Sequence, residues 1–180
     1  MAKLTGKNIF LAIPKSQFCE EELLPIRKSL EESGARVFVL SKSGQEARGM
    51  NKTPFQPNGA IIDWNKQEGI SGKYHAVLVL GGKGAAKSLW NDPILPQILT
   101  DHYRASRITG AIGQGVVVLA RAGLVSTAAA PKDQNVLNEL QAERVSLSED
   151  PVCVSGTAVT AEGKNSVDNF VETIERLLIG

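Results

Sequence analysis

Cysteine, histidine and aromatic side chains are all scarce in this 180-residue chain: two Cys, two His, and 5% Phe, Trp and Tyr together. Cys19 and Cys153 alone build no disulfide framework, and with only two histidines a Cys/His zinc site is not expected. No metal and no cofactor is therefore predicted. Neither sign of charge is in excess. Twenty Lys and Arg against nineteen Asp and Glu leave a formal charge of +1, which excludes a strongly basic nucleic-acid binder and an acidic tail. No apolar run approaches the ~20 residues that a membrane helix requires. Residues 1–7 are polar and basic, and the apolar run behind them is too short for a signal peptide. The expectation is a cytoplasmic protein with no membrane and no nucleic-acid partner. What the chain does have is 42% hydrophobic and 22% charged residues, the composition of a folded globular protein. Its length fits one domain over residues 1–180, large enough to bury roughly 70% of its unfolded surface without staples.

Short apolar runs alternate with amphipathic stretches. Asn8-Ile9-Phe10-Leu11-Ala12-Ile13 reads as a buried strand stopped by Pro14. Residues 20–33 read as a helix, with Leu23, Leu24, Ile26 and Leu30 at helical spacing and Gly34 as the stop. Arg36-Val37-Phe38-Val39-Leu40 closes a βαβ unit, which is right-handed in ~98% of cases. Residues 41–72 are polar and rich in Gly, Pro and Asn, predicting a loop with one small strand or hairpin. The alternation resumes with a strand at 76–80, one helical stretch from 85 to about 103, a strand at 108–112 and an apolar helix at 116–122. A short helix at 136–142, a strand pair around Ser155-Gly156 and a closing helix at 166–178 complete the pattern. Near-continuous apolar strands between helices predict an α/β fold with a mainly parallel sheet covered on both faces. Ligands of such sheets bind where the strands end, at the switch in strand order.

Three strand ends carry candidate chemistry. Gly81-Gly82-Lys83-Gly84-Ala85-Ala86-Lys87-Ser88 comes within one residue of a phosphate-cradling loop, with Ala86 where the second glycine belongs. No apolar strand ends in the Asp that would hold magnesium, so a tight turn with solvated Lys83 and Lys87 is the simpler account. Ala111-Ile112-Gly113-Gln114-Gly115 has the shape of a nucleophile elbow, but its apex is Gly113, and a plain glycine turn explains it equally well. Phe18-Cys19-Glu20-Glu21-Glu22 opens the first helix. Three carboxylates there suit the positive end of the helix dipole, and a thiol beside them either is made reactive by that dipole or is an inert buried group. Cys153, between two valines, is expected in the core. His75 and His102 are expected in solvent, and Trp64 and Trp90 in packing roles.

Together these segments resemble the DJ-1/PfpI family, within the class I glutamine amidotransferase-like superfamily. The resemblance runs from Asn8 to Leu178. It includes the acidic helix start before Leu23-Leu24-Pro25, Glu31-Glu32-Ser33-Gly34, and Tyr74-His75-Ala76-Val77-Leu78-Val79-Leu80-Gly81-Gly82. It continues through Ala111-Ile112-Gly113-Gln114-Gly115, Leu119-Ala120-Arg121-Ala122-Gly123-Leu124 and Ala158-Val159-Thr160-Ala161-Glu162-Gly163. The resemblance implies a flavodoxin-like three-layer sandwich, usually dimeric. It also implies activities such as glyoxalase (methylglyoxal to lactate), deglycase, peptidase and chaperone. The family's reactive cysteine stands at the elbow near a glutamate of the first helix, with backbone amides of the G-G turn as an oxyanion hole.

Carried onto this chain, the glutamate is Glu22, counting back from Gly34, or Glu21, counting from Pro25. Gly81 and Gly82 form the oxyanion turn. Gly113 stands at the cysteine position and Gln114 at one often held by His or Ala. Ala130, before Pro131, stands where many members carry a histidine. The expectation is a homodimeric, stress-related protein that has lost the nucleophile and binds a partner or a small carbonyl-type ligand without catalysis. The alternative is a glyoxalase-, deglycase- or peptidase-like hydrolase with a relocated nucleophile, Cys19 acting with Glu22.

Overall fold

The computed structural model describes residues 2–180. In chain order its elements are β1 (Asn8–Ala12), α1 (Glu20–Glu32), β2 (Arg36–Ser41), β3 (Ala47–Arg48), β4 (Pro54–Phe55) and β5 (Gly59–Ala60). There follow β6 (Ala76–Val79), α2 (Ala85–Ser88), α3 (Leu95–Arg104), β7 (Ile108–Ile112), α4 (Val116–Arg121), β8 (Thr127–Ala128) and α5 (Gln134–Ala142). The last are β9 (Ser146–Leu147), β10 (Val152–Ser155), β11 (Ala158–Ala161) and α6 (Val167–Ile179). Seven strands make one sheet in the order β10-β11-β7-β6-β1-β2-β5. Every pairing in it is parallel except β10 with β11, a hairpin in which Val152 lies opposite Ala161. From β1 the chain winds first towards β2 and then, from β6 onward, to the other side. The switch in strand order lies between β1 and β6.

The strands are apolar along both faces because both faces are covered. Phe10, Phe38, Val77, Val79 and Ala111 face a core completed by α3, α4 and α5. Their neighbours Ile9, Leu11, Val37, Val39 and Leu78 face a second core under α1 and α6. Alternate residues of one strand thus serve opposite layers, as a period of two requires. No helix among the described residues is long and apolar enough to cross a membrane.

The structure departs from the sequence reading at five places. The single helix expected over 85–103 is two, α2 and α3, because Asp92 Oδ2 accepts the N–H groups of Ile94 (3.0 Å) and Leu95 (2.8 Å) and starts a new helix. His102 is not in solvent: it is fully buried, its Nε2 accepting the Tyr74 N–H at 3.0 Å and its Nδ1 facing Ile98 O at 2.6 Å. That pairing assigns a neutral ring with the proton on Nδ1. Cys153 is not core but half-buried, on β10 at the edge of the sheet. Trp90 does more than pack, since its indole N–H is committed to the site described next. His75 is part-buried, and its Nδ1 accepts the Asn8 N–H at 3.0 Å.

Candidate functional site: a cleft at the carboxyl ends of the strands

A cleft of about 510 Å³ opens at the carboxyl edge of the parallel sheet, beside the switch point. Its wall comes from the loops that leave successive strands. Cys19, Glu21 and Glu22 follow β1, Gly82 follows β6, Gly113 and Gln114 follow β7, and residues 162–165 follow β11. Met50 and the pair Pro131 and Lys132 complete the lining.

The three acidic residues at the start of α1 separate by direction. Glu20 turns to the β3–β4 hairpin, where its Oε2 accepts the N–H groups of Asn51 (2.8 Å) and Thr53 (3.1 Å). Glu21 is exposed and meets Lys164 at 3.4 Å across the cleft mouth. Glu22 is 4% exposed and points inward, its Oε1 accepting the Gly81 N–H at 2.8 Å. Of the two candidates in the sequence, Glu22 is the one that enters the cleft floor. Burial pushes its carboxyl up to about 7, against the pull of the Gly81 N–H and the Cys19 thiol and with a smaller push from Glu21. The group therefore exchanges a proton near neutrality.

Gly113 lies at the apex of the β7–α4 turn with φ +63°, a left-handed conformation that a Cβ disfavours. A Cβ built on it would collide with Glu22 Oε2. The carboxyl end of Glu22 thus stands where a side chain at 113 would begin. No N–H or O–H group among the described residues reaches that second oxygen.

The amide turn after β6 is plugged from within. Gly82 N–H donates to Gln114 Oε1 at 3.1 Å, so the carboxamide fills the oxygen site that the turn offers. Gln114 is itself held from below, where Trp90 Nε1 donates to its backbone carbonyl at 2.7 Å. Arg121 fixes Trp90 through a 2.8 Å bond to its carbonyl, while also pairing with Asn91 and Glu139. Gly81 underlies the cleft, its N–H spent on Glu22. Ala130 is buried in the core, and only the following Pro131 reaches the wall.

Cys19 is 8% exposed at the N-terminus of α1 and lines the cleft. The helix end does not make it reactive. Burial and then the Glu22 carboxylate push its thiol up to about 11, outweighing the amides of Glu22 and Glu21. At neutral pH only on the order of one molecule in ten thousand carries the thiolate.

The near-phosphate loop is likewise occupied by the chain itself. A Cβ on Gly82 would strike the backbone of residues 17–19, and one on Gly84 would strike Ser16 O. Gly84 N–H donates to Gln17 O at 3.2 Å and Cys19 N–H to Gly81 O at 3.1 Å. These glycines allow two loops to pack, and the space that a phosphate would take is filled. Among the described residues no group of three or more His, Cys, Asp or Glu side chains is arranged to hold a metal.

The sheet order, the helices on both faces and the cleft at the switch point define a flavodoxin-like α/β sandwich. Residues 7–176 match the DJ-1/PfpI family, and the chain belongs to it. It is 28% identical over 161 residues to an uncharacterized protein of Methanocaldococcus jannaschii, covering 88% of this chain and 76% of that one. Solved structures of the same fold include a ThiJ/PfpI domain protein from Brachyspira murdochii (TM-score 0.85, 24% identity, 96% of this chain and 98% of that one). Another is Drosophila melanogaster DJ-1beta (TM-score 0.80, 18% identity, 97% and 91%).

The sequence reading had named Glu22, Cys19, Gly82, Gly113 and Gln114, and all five meet in the cleft. It missed Lys132, Lys164 and Met50, and it missed the roles of Trp90 and Arg121. Trp90 lies six residues past the Gly84 turn, and only the break between α2 and α3 brings its ring beneath Gln114.

Proposed function

We propose that this protein keeps the DJ-1/PfpI cleft as a binding site and carries out none of the family's cysteine chemistry. The observation that supports this reading is the place of Glu22 Oε2 at the position of the missing side chain on Gly113. An elbow cysteine would need the space beside this turn, and here the Glu22 carboxyl takes it up. The plugged Gly82 amide points the same way, because an oxyanion hole is useful only while its donors are free. A homodimer belongs to the same proposal, and light scattering on the purified chain tests it.

The reading is tested by methylglyoxal consumption and lactate formation, assayed beside a Cys19→Ser variant. No turnover is expected from either protein. Turnover lost in the variant would make Cys19 a relocated nucleophile. Turnover surviving in both would overturn the non-catalytic reading altogether.

A further inference from the structure

Two side chains that line the cleft are anchored on adjacent backbone amides, Glu22 on Gly81 and Gln114 on Gly82, and the second polar end of each takes no N–H, O–H or carbonyl partner among the described residues, the Cys19 thiol alone lying against the Glu22 carboxyl. One is Glu22 Oε2, on a side chain 4% exposed whose other oxygen is already held by Gly81. The other is the Gln114 Nε2 amino group. Its carboxamide oxygen is fixed on Gly82 N–H, so the NH₂ end is the one left over, and no acceptor among the described residues takes it. Trp90 Nε1 donates to the Gln114 backbone carbonyl and Arg121 holds Trp90 in turn, which fixes the backbone from which the carboxamide extends towards Gly82.

We infer that the cleft takes a small carboxylate anion, seated between Glu22 Oε2 and Gln114 Nε2 and bound together with one proton. This rests on the reading of the cleft as a binding site. Gln114 Nε2 offers only N–H donors, which selects an acceptor. An ionised Glu22 would repel such a ligand at hydrogen-bond distance. A protonated Glu22 donates to it, forming an acid–carboxylate hydrogen bond of the strong, charge-assisted kind. The proton comes from solvent and rests on Glu22, and no covalent bond changes. Burial already favours the protonated carboxyl in this position.

The other charged and titratable groups facing the cleft fit this assignment. On α1 these are Cys19, whose thiol stays neutral, and Glu21, which is engaged with Lys164. After β8 comes Lys132, with no carboxylate within 4.0 Å, and after β11 come Glu162 and Lys164. Lys132 is the cation left to attract an anion into the mouth, and Glu162 is the one acid unmatched by a cation on the rim.

Propanoate, propylammonium and propanamide are the probes, titrated to roughly 200 mM because ligands of four or five heavy atoms offer few contacts and bind weakly. Sodium chloride at matched ionic strength is the control. Binding is read from the ¹⁵N NMR signals of the Gly81 and Gly82 amides and the Gln114 side-chain NH₂. Propanoate should shift all three saturably and the other two probes should not. Its apparent Kd should rise about tenfold from pH 6 to pH 8, because Glu22 must be reprotonated at the higher pH. Calorimetry in two buffers of different ionisation heat should show proton uptake approaching one per site at pH 8.

Glu22→Gln places a permanent N–H donor at the same point, so propanoate should still bind and the pH dependence should vanish. Gln114→Ala, which removes the NH₂ donor and its signal, should abolish the propanoate shift at Gly81. No saturable response to propanoate at pH 6, preferential binding of propylammonium, or an unchanged pH slope in Glu22→Gln would each overturn the inference. Failure here with methylglyoxal untouched would remove only the ligand class. Turnover of methylglyoxal independent of Cys19 would remove the binding-site reading beneath it.

Discussion

Glu22 and Gly113 form a steric pair: the carboxyl end of the first occupies the space in which a Cβ of the second would lie. Two consequences follow for substitution at 113. Any L-residue there takes on the cost of φ +63°, and it must also displace a buried carboxyl from its bond with Gly81. Gly113→Ala and Gly113→Cys should therefore lower stability by about 1–3 kcal/mol in urea unfolding. In a Glu22→Ala background the same substitutions should cost less, since the obstructing group is gone. Additive costs across that double-mutant cycle would show that the two residues do not compete for one space.

The buried Glu22 carboxyl also predicts how stability responds to pH. Its folded value of about 7 lies above the ordinary 4.5, so the folded state holds a proton that the unfolded chain releases. The associated stability is fully present below pH 4.5 and is lost as pH rises through 7. About 2.5 units corresponds to a penalty of on the order of 3 kcal/mol above neutrality. Glu22→Gln removes the titration while keeping an acceptor for Gly81. The melting temperature of the variant relative to the parent should rise between pH 4.5 and pH 8. A difference that stays flat over that window would mean that Glu22 is ionised in the folded protein at all these values.

His102 works in the opposite direction. Burial lowers its folded pKa, an effect that its bond to Ile98 O only partly offsets, with Lys73 and Arg107 adding to the depression and Asp101 opposing it. A depressed histidine gives stability that is present above pH 6.5 and is lost as pH falls through the folded value, because the unfolded chain binds the proton first. His102→Leu strands the Tyr74 N–H, costing about 1–3 kcal/mol when buried and unpaired, and takes a second partner from the Ile98 carbonyl. The variant should be less stable at pH 8 and should lose less than the parent on going to pH 5. An equal loss would place the acid sensitivity elsewhere.

Which of these residues the sequence could have revealed depends on whether their partners are local. The parallel sheet was legible because short, near-continuous apolar runs and their glycine or proline stops are written in the strands themselves. His102 was misread from its neighbours Asp101 and Arg104, although Leu95, Ile98, Leu99 and His102 mark one helical stripe and all four are buried. Asp92-Pro93 likewise signalled the break between α2 and α3. By contrast, nothing near Cys153 tells that its strand is at the sheet's edge. The three acids at 20–22 are alike in sequence, and only the distant Thr53, Lys164 and Gly81 separate them. The same holds for the turn at 81–84, whose glycines looked like a phosphate cradle because the loop that fills it lies more than sixty residues earlier.

That packing makes a negative prediction about nucleotides. Residues 16–19 lie against Gly82 and Gly84, so a phosphate could enter only by pushing the two loops apart. ATP with magnesium should produce no thermal shift, and Lys87→Ala should leave that result unchanged. A shift that depends on Lys87 would show that the loop pair opens.

The Gln114 plug makes a prediction that needs no ligand. While its Oε1 holds the Gly82 N–H, that amide is shielded from solvent at the cleft floor. Gln114→Ala removes the acceptor and leaves the amide facing water in the cleft, so its hydrogen exchange should quicken with global stability lowered only by about 0.5–1.5 kcal/mol. Trp90→Phe keeps the carboxamide but removes the indole donor beneath it. It should produce a smaller acceleration at Gly82 and none at Gly81, whose amide is held by Glu22. Equal acceleration at both glycines would mean that the substitution loosens the whole turn, and that Gln114 is not what closes the amide site.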